Sequence, residues 1–508
     1  MINYIRFIKK FYCEVENLFM IKINKKLRRV ILVLLLLITC SSSKSEAITK
    51  YEFLAALLEA RGIDWSSSPE AVNNNGWKFI TRTGYITDDV PYMSQQVTRR
   101  EALRWCIESL GLSFEAALLS DYPMSFKDFD RLNDFERGCL VVGCNMKPQI
   151  FTQSDLFRGT DALSNKESEA ILSRVKAASK NFRLDIIRNP LQGMRVLIHR
   201  EGVPTGIPNW RVQAEGIKDK GSADNLKTFL KANGFEMTSS KSGNVYVLRS
   251  QKLEDYDQAR SLTALIQSRG VRFRAIPVMS NPKTNIVPKY WVMLTIDPTY
   301  WKIMPITAGN GGRNLWTLSG IAQRNKARAA INAGFFGIVR GTQGFPIGSL
   351  KINGNVLSDP YDNRGALGWN DNDEAVFSVA GSEQIPNWLD MTNIIQAGPL
   401  LLDEGRYAVV DEGFDNALIS VRHPRSAVGL TEGGEWVFML VDGRNGMHSS
   451  GATISELAGL MKTYNIQYAL NLDGGGSSEI IINGKIYNWP SDGRERLISY
   501  GLGAISIK

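Results

Sequence analysis

Two apolar segments near the C-terminus each end in an aspartate that is followed by glycine. Residues 437–441 lead into Asp442, and residues 468–472 lead into Asp473. A strand that delivers a carboxylate into a glycine-rich turn is the arrangement by which open α/β sheets place reactive groups at strand ends. Because the pattern occurs twice, it predicts an active site at one edge of a sheet in this part of the chain.

The size and charge of the chain limit its class. It has 508 residues, of which 44% are hydrophobic and 22% charged, and this length predicts roughly three domains rather than one core. The formal net charge is +9, but no basic stripe with interleaved aromatic residues indicates nucleic-acid binding. The positive excess fits an anionic small substrate or a polyanionic polymer of the cell envelope.

The first 47 residues have the order of a secretory signal. A basic segment at 25–29 precedes the apolar run 30–38, which is short for a membrane span, and the polar segment 41–46 follows. We therefore expect export to the periplasm or cell envelope. Three alternatives stay open: cleavage after Ala47, lipidation of Cys40 in a lipobox-like context, and an uncleaved anchor helix. The last two would attach the protein to a membrane.

Cysteine usage indicates no metal site. Cleavage after Ala47 would leave Cys106, Cys139 and Cys144, without metal-ligand spacing, so neither a metal nor another cofactor is expected. An exported compartment permits one disulfide, for which Cys139 and Cys144 are the nearest pair, but buried thiols are the favoured interpretation.

Residues 48–178 predict a helical repeat region. Three segments begin with a hydroxyl residue and carry glutamate three positions later, as in a helix capping box: Thr49 with Glu52, Thr98 with Glu101, and Ser164 with Glu167. With the Thr-Arg-Arg-Glu-Ala sequence at 98–102, this region resembles S-layer homology modules. The resemblance implies attachment to secondary cell-wall polymers, and the alternative is a plain helical spacer.

Residues 179–280 predict a small α+β domain of βαββαβ order. Alternating runs at 210–214 and 245–248 are typical of strands, and residues 224–232 and 256–268 are typical of helices. The duplicated unit resembles SPOR-type domains, which implies binding to the glycan strands of peptidoglycan, although many small domains of this order bind no glycan. The polar segment 280–285 is a predicted linker.

Residues 285–508 predict a C-terminal mixed α/β domain with several glycine-punctuated motifs. In chain order the most specific are PRSAVG, VDGR, SGATISELA, NLDGGGSS and NWPSDGRER. Together they closely resemble the phosphodiester glycosidase family. The resemblance implies hydrolysis between an anomeric carbon and a phosphodiester oxygen, which gives a free sugar and a phosphomonoester. Leu497, Tyr500 and His448 depart from the family pattern and leave the substrate's identity open.

Three residues are the candidate catalytic groups. If the strands ahead of Asp442 and Asp473 are neighbours, the two carboxylates converge, and like-charge proximity would raise the pKa of one of them for acid chemistry. Alternatively, each aspartate caps its own turn. His423 is a candidate proton donor or phosphate contact.

The substrate-binding candidates are groups suited to phosphate and sugar. Arginine forks bind phosphate oxygens, exposed amides of a glycine turn form an anion nest, and side-chain amides bind sugar hydroxyls. The candidates are Asn332, Arg425, Arg444, Gly474, Gly475, Ser477, Ser478, Asn488, Asp492 and Arg494.

The combined hypothesis is an envelope enzyme acting on a sugar-1-phosphodiester, with a sugar-phosphate or cell-wall polymer as substrate. Two alternatives remain: a non-catalytic protein that binds envelope glycan, and a metal-assisted phosphodiesterase with oxygen ligands from Asp442 and Asp473.

Overall fold

The computed structural model describes residues 47–507, except 66–67, 69, 71–75, 88–91, 243–244, 280–286, 373 and 409–411. The predicted leader, with Cys40, and the predicted linker at 280–285 lie outside the described residues. Within the described ranges, every helix is too short or too polar to cross a membrane.

The N-terminal region is helical, as predicted. Its helices are α1 (Lys50–Ala60), α2 (Gly76–Thr83), α3 (Arg99–Ser109), α4 (Ser113–Leu118), α5 (Asp134–Asn145) and α6 (Asn165–Ala178). Thr49, Thr98 and Ser164 each complete a capping box at the start of α1, α3 and α6, which confirms the three predicted helix starts. The three described cysteines are buried free thiols. The S-layer-like role of this region stays a prediction.

The small α+β domain has the predicted βαββαβ order. It comprises β3 (Pro208–Ile217), α7 (Lys220–Ala232), β4 (Met237–Ser242), β5 (Val245–Ser250), α8 (Tyr256–Ser268) and β6 (Arg272–Met279). The antiparallel sheet has the order β4-β5-β3-β6. Val212 and Ala214 of β3 pack against Leu230 and Leu262 of the two helices. Because side chains alternate along a strand, Gln213, which lies between them, faces the other side.

An eight-stranded antiparallel sheet forms the centre of the C-terminal half. Its strands are β1 (Arg183–Leu191), β2 (Met194–Glu201), β7 (Lys289–Ile296), β17 (Leu400–Asp403), β18 (Arg406–Tyr407), β19 (Arg425–Thr431), β20 (Trp436–Val441) and β21 (Ile466–Asn471). Their order across the sheet is β1-β2-β7-β20-β19-β21-β17-β18.

The first hairpin of this sheet corrects the predicted domain boundary at residue 179. β2 pairs with β7 along its whole length, from Met194 opposite Ile296 to Glu201 opposite Lys289. The hairpin β1–β2 therefore belongs to the central sheet, and the SPOR-like domain is inserted between β2 and β7. The prediction was wrong because strand pairing across the insertion is non-local and leaves no local sequence pattern.

Two further sheets and a hairpin complete this half. One five-stranded sheet contains β8 (Trp301–Thr307), β9 (Ala329–Asn332), β22 (Ile480–Ile482), β23 (Lys485–Ile486) and β24 (Tyr500–Ser506). The other contains β12 (Leu350–Ile352), β13 (Asn355–Ser358), β14 (Arg364–Trp369), β15 (Ala375–Ala380) and β16 (Asn393–Gln396). The hairpin is β10 (Phe336–Arg340) and β11 (Gln343–Pro346), and the helices are α9 (Leu318–Arg324), α10 (Asn416–Ser420) and α11 (Ile454–Thr463).

The core follows the two-residue period of the strands. Along β20, Phe438 and Leu440 join the large apolar cluster shared with the other sheets, whereas Val437 and Met439 pack with α11 on the opposite face. Ile331 of β9 joins the same large cluster, while Ala330 packs with α9. The central sheet is thus covered on both faces, which leaves its strand ends and loops to form the site.

The central strands bring the two predicted aspartates to one edge. β19 lies between β20 and β21 and pairs antiparallel with both. Arg425 is opposite Val441, and Ala427 is opposite Asn471, so β20 and β21 end beside the start of β19. The two aspartate-bearing strands are therefore parallel and next-but-one neighbours in an antiparallel sheet.

Candidate active site

The loop after β21 is fixed by its own backbone. The N–H of Asp473 donates to the carbonyl of Ala333 at 2.8 Å, and that of Gly475 donates to Pro424 at 2.9 Å. Gly475 has φ +63°, a conformation that favours glycine. Residues Gly475–Ser477 then form one 3₁₀ turn. These bonds hold Asp473 at the end of its strand.

Asn332 braces this loop and does not face the cavities. Its Nδ2 donates to the carbonyl of Asp473 at 2.7 Å, and its Oδ1 accepts from Ser426 Oγ at 2.7 Å and from the N–H of Glu479 at 3.1 Å. The side chain is 1% exposed. Its predicted contact with sugar or phosphate is therefore corrected to a structural one, because both ends of the amide are already bonded.

The predicted amide nest is also occupied by internal bonds. The N–H of Gly474 donates to Asp473 Oδ1 at 2.9 Å, and Gly475 donates to Pro424. The N–H groups of Ser477 and Ser478 donate to the carbonyls of Gly474 and Gly475. These four amides are therefore not free to bind an anion, and positive charge at this loop comes from side chains.

Guanidinium groups supply that positive charge. A Cβ built on Gly475 would lie 2.9 Å from Arg444 Nη2, and one built on Gly476 would lie 1.9 Å from Arg496 Nη2. The glycines thus let the two arginines approach the loop closely. Together with His423 and Arg425, these arginines line a cavity of about 360 Å³, which we call the anion cavity.

A second cavity of about 980 Å³, which we call the large cavity, adjoins the first. Asp473 and Arg496 line both. The large cavity is lined by apolar residues and by charged residues of both signs; its lining includes Leu315, Thr317, Phe336, Ile338, Ser477, Asp492, Arg494, Glu495 and Leu497. Asp473 therefore stands where a cation-rich space meets one with aromatic and polar walls.

Burial raises the pKa of Asp473, against the opposing effects of Ser477, Arg496, the Gly474 N–H and Arg444. A raised pKa brings a carboxylate closer to the range in which it exchanges protons near neutral pH. The predicted cause, repulsion by Asp442, is not among these effects, so desolvation replaces like-charge proximity as the explanation.

The cations of the anion cavity influence one another. Burial and the charge of Arg444 lower the pKa of Arg425 to about 10. Burial, Arg444 and Arg425 lower the pKa of His423, whose Nδ1 lies 3.4 Å from Arg444 Nη2. A neutral imidazole is better suited to accepting or donating a hydrogen bond to the substrate than to giving it a proton. Arg425 also braces loops, since Nε donates to Ala452 and Nη2 to Leu418 and Val421.

Asp442 is buried beneath the site rather than in it. It is 1% exposed, and its carboxylate contacts His448 Nε2 at 2.9 Å, Asn488 Nδ2 at 3.2 Å and the N–H of Trp489 at 2.8 Å. It lines neither cavity. The predicted catalytic role is corrected to a positioning one, because these donors surround the carboxylate.

Two other predicted contacts are likewise internal. Asn488 is 2% exposed and binds the N–H of Ile480, the carbonyl of Ser478 and Asp442. Ser478 is 1% exposed. In contrast, the structure brings together Asp473, Gly474, Gly475, Ser477, Asp492 and Arg494, with His423, Arg425 and Arg444, around the two cavities.

Three polar groups at the site were not predicted from the sequence. Arg496 binds Asp492 Oδ2 through Nε at 2.9 Å and Nη2 at 2.7 Å, and Nη1 lies 3.4 Å from Ser477 Oγ. Glu495 accepts bonds from the N–H and Oγ of Ser319. Arg496 and Glu495 lie within the NWPSDGRER motif, and Glu479 directly follows NLDGGGSS. All three would have been included if every charged residue of the first motif, and the residue after the second, had been taken as candidates.

Glu479 and Glu495 form a carboxyl pair. Glu479 is 3% exposed, and its Oε1 has no hydrogen-bond partner among the described residues. Burial and Glu495 raise the pKa of Glu479 to about 10. Burial alone would raise the pKa of Glu495, but hydrogen bonds from Glu479 and Ser319 outweigh it, so the pKa is lowered. The opposite shifts of the two pKa values favour a proton on Glu479 beside Glu495, which lines the large cavity.

No group of three or more His, Cys, Asp or Glu side chains arranged to hold a metal ion occurs among the residues that the structure describes.

Comparison with family models identifies two domains. Residues 325–505 match the model described as phosphodiester glycosidase, and residues 207–273 match the SPOR domain. The C-terminal half thus contains a domain of the phosphodiester glycosidase type, and the inserted domain is a SPOR domain. These matches confirm the resemblances to the phosphodiester glycosidase family and to SPOR-type domains, whereas the resemblance to S-layer homology modules stays a prediction.

Curated relatives share part of the chain. It is 31% identical over 227 residues to the prophage-derived uncharacterized protein YomE of Bacillus subtilis, covering 43% of this chain and 34% of that protein. It is 32% identical over 103 residues to the Bos taurus N-acetylglucosamine-1-phosphodiester alpha-N-acetylglucosaminidase, covering 20% and 19%, and 26% identical over 206 residues to the Homo sapiens enzyme, covering 36% and 37%. The chain thus spans well under half the length of these relatives.

Two solved structures are similar over larger parts of the chain. The zebrafish N-acetylglucosamine-1-phosphodiester alpha-N-acetylglucosaminidase catalytic domain, auto-inhibited by its pro-peptide, aligns at 21% identity and TM-score 0.39, covering 45% of this chain and 80% of that one. A hypothetical protein from Synechocystis aligns at 17% identity and TM-score 0.38, covering 64% and 77%.

Proposed function

We propose that this protein is an exported cell-envelope enzyme that hydrolyses a sugar-1-phosphodiester, releasing the sugar and a phosphomonoester. The observation that carries this proposal is the position of Asp473, which lines both the anion cavity and the large cavity. A substrate with its phosphate in the first and its sugar in the second would present its anomeric carbon beside this carboxylate.

The arginines bind the phosphate and its departing charge. Arg444 and Arg496 reach the anion cavity over Gly475 and Gly476, and planar guanidinium groups match phosphate oxygens in geometry. Because they are held in place before the reaction, they stabilise the charge that grows on the leaving oxygen without rearrangement. Asp492 fixes Arg496 through two of its nitrogens.

Asp473 is the proton acceptor in this mechanism. A water oxygen forms a bond to the anomeric carbon while the bond from that carbon to the bridging oxygen breaks, and the electron pair leaves with the phosphomonoester. Asp473 takes the proton that the water loses, and then releases it to solvent. Its raised pKa suits a base that works near neutral pH.

The proposed location depends on the SPOR domain and the leader. The SPOR domain indicates binding to peptidoglycan, and the basic, apolar and polar order of residues 25–46 predicts export. Together they favour a substrate that is part of, or attached to, the cell wall.

The test is product analysis with the full-length chain in ¹⁸O-labelled water. Incubation with a panel of sugar-1-phosphodiesters is expected to give free sugar and phosphomonoester, with the label on the sugar because the carbon–oxygen bond breaks. Label on phosphate would replace this proposal by phosphodiesterase chemistry. Binding without any product would leave a non-catalytic glycan-binding protein.

The matched variant for this test is Asp473→Asn, which keeps the shape of the side chain and removes its basicity. We expect a loss of about 10²–10⁴-fold in kcat, the usual contribution of a general base. Wild-type turnover by this variant would exclude Asp473 as the base.

A further inference from the structure

The inserted SPOR domain forms part of the wall of the large cavity. Val245 of β5 and Arg272 of β6 line this cavity together with Asp473 and Glu495 of the catalytic half. A substrate bound at the catalytic carboxylate therefore also encounters the SPOR domain.

An ion-pair chain fixes the two domains at this place. Arg274 of β6 binds Glu215 through Nε at 2.8 Å, and its Nη1 lies 3.3 Å from Asp492 Oδ1 and also donates to the carbonyl of Ser491. Asp492 in turn holds Arg496. The arginine of the SPOR domain is thus connected through one carboxylate to an arginine of the anion cavity.

Arg272, two residues before Arg274, is left without a carboxylate partner among the described residues. Its cross-strand neighbour is Glu215, whose Oε1 is bound by Arg274 and by Gln213. Arg272 is exposed and lines the large cavity. An unneutralised guanidinium in a cavity wall is suited to an anionic group of a ligand.

A third cavity continues beyond Arg272. It measures about 410 Å³, and its lining includes Glu215, Gly270, Arg272 and Phe273 of the SPOR domain with Asp492 and Arg494 of the catalytic half. It shares Arg272, Asp492 and Arg494 with the large cavity, which shares Asp473 and Arg496 with the anion cavity. Three cavities therefore follow one another, with arginine at each junction.

We propose that this row of cavities binds a polymer with repeated anionic groups, and that Arg272 of the SPOR domain binds the anionic group next to the scissile phosphodiester. This inference rests on the proposed function and deepens it: the substrate is an anionic sugar-phosphate chain rather than a single diester. One repeat would occupy only the anion cavity and part of the large cavity, and would leave Arg272 without a ligand.

The experiment measures binding apart from turnover. Full-length protein with Asp473→Asn is titrated calorimetrically with a single N-acetylglucosamine-1-phosphodiester and with a short oligomer of the same repeat. Adding Arg272→Ala is expected to weaken oligomer binding about tenfold and to leave binding of the single diester unchanged. In the active protein, the same substitution should raise KM for the oligomer and leave its kcat unaltered.

The control is Arg260→Ala, which removes one exposed positive charge from α8 of the same domain, where Arg260 pairs with Asp257. It should change neither affinity. Unchanged oligomer affinity in Arg272→Ala, or an equal loss for both ligands, would overturn the inference. Oligomer binding that depends on Arg272, without hydrolysis by the wild type, would refute the proposed reaction and leave the binding site intact.

Discussion

Asp473 and Asp442 follow the same sequence pattern but have opposite surroundings. Asp442 is enclosed by His448, Asn488 and the N–H of Trp489. Asp473 accepts a bond from the adjacent Gly474 and lines both cavities. Donors that enclose a carboxylate make it a structural anchor, whereas access to a cavity leaves it available for chemistry.

We expect Asp442→Asn to affect folding stability, while Asp473→Asn affects turnover. In Asp442→Asn, the new side-chain NH₂ group would face the N–H groups of Asn488 and Trp489, and two donors cannot bond to each other. We therefore predict a loss of roughly 1–3 kcal/mol in the free energy of unfolding. Urea unfolding and kcat, measured on both variants, separate the two roles. Asp403→Asn, at an exposed strand end, is the control. A stable Asp442→Asn protein without activity would restore Asp442 as a catalytic candidate.

The Glu479–Glu495 pair gives a pH-dependent prediction. The folded-state pKa of Glu479, about 10, lies above the unfolded value of about 4.3, so its stabilising contribution is present below the unfolded value and is lost as pH rises toward 10. Glu479→Gln keeps a donor toward Glu495 without the ionisation. Its Tm should therefore fall less than that of the wild type between pH 7 and 10.

Glu404→Gln, at the exposed turn between β17 and β18, is the control for removal of a glutamate charge, and its Tm profile should follow the wild type. Parallel profiles for Glu479→Gln and the wild type would show that Glu479 does not hold the proton.

Residue type was easier to predict than side-chain environment. The motifs identified Asp473, Arg444 and His423, because carboxylates, guanidinium groups and imidazole beside glycine turns are chemically distinctive. They did not distinguish Asp473 from Asp442, since burial of Asp442 depends on His448 and on Asn488 from a distant loop. Long-range contacts of this kind have no local sequence signature.

The glycine loop after β21 is the element that shapes the anion cavity. The backbone conformation of Gly476 is one that any L-residue can adopt. A Cβ at this position, however, would lie 1.9 Å from Arg496 Nη2 and 2.3 Å from Asp492 Oδ2. Glycine is therefore needed here to leave room for the Arg496–Asp492 ion pair, and not because of the backbone conformation.

Gly476→Ala is expected to displace the Arg496 guanidinium and weaken substrate binding. Because the displaced atoms are the ends of side chains, stability should change little, while KM rises about tenfold through the lost charge-assisted contact. Steady-state kinetics and Tm test this. Gly433→Ala, where the nearest atom lies 3.8 Å from the new Cβ, is the matched control. An unchanged KM would mean that Arg496 does not bind substrate.

Helices with a capping motif in the local sequence could be predicted, whereas the pairing of strands distant in sequence could not. Capping boxes placed the starts of α1, α3 and α6 correctly because the cap and its glutamate lie within one helical turn. The hairpin β1–β2 was assigned to the wrong domain because its partner β7 follows an entire inserted domain.

Across the whole molecule, the helical region is joined to the catalytic half by a buried polar chain. Glu115 of α4 lies 3.0 Å from Arg200 Nε of β2, and His448 Nδ1 lies 3.4 Å from the same carboxylate oxygen. His448 Nε2 contacts Asp442 at 2.9 Å. Phe114, beside Glu115, packs against the rings of His448 and Trp489. The helical region thus supports the floor of the active site.

Ionisation of this chain determines how stability depends on pH. Burial lowers the pKa of His448, but Glu115 and Asp442 outweigh it, so the pKa is raised. Burial raises the pKa of Glu115, but His448 and Arg200 outweigh it, so the pKa is lowered. The contribution of His448 is present below its unfolded value of about 6.5 and is lost as pH rises through the folded value. That of Glu115 is present above about 4.3 and is lost in acid.

Glu115→Gln should therefore cost most between about pH 4.3 and 6.5, where both charges contribute. Removing one partner of a buried pair leaves an uncompensated charge on Arg200, and we expect a loss of about 3–5 kcal/mol in the free energy of unfolding. Urea unfolding of the full-length chain from pH 4 to 9 measures this, with Glu59→Gln on the exposed side of α1 as the control. If the difference between Glu115→Gln and the wild type were the same at every pH, the loss would come from packing, and the His448–Glu115 charge pair would not join the two regions.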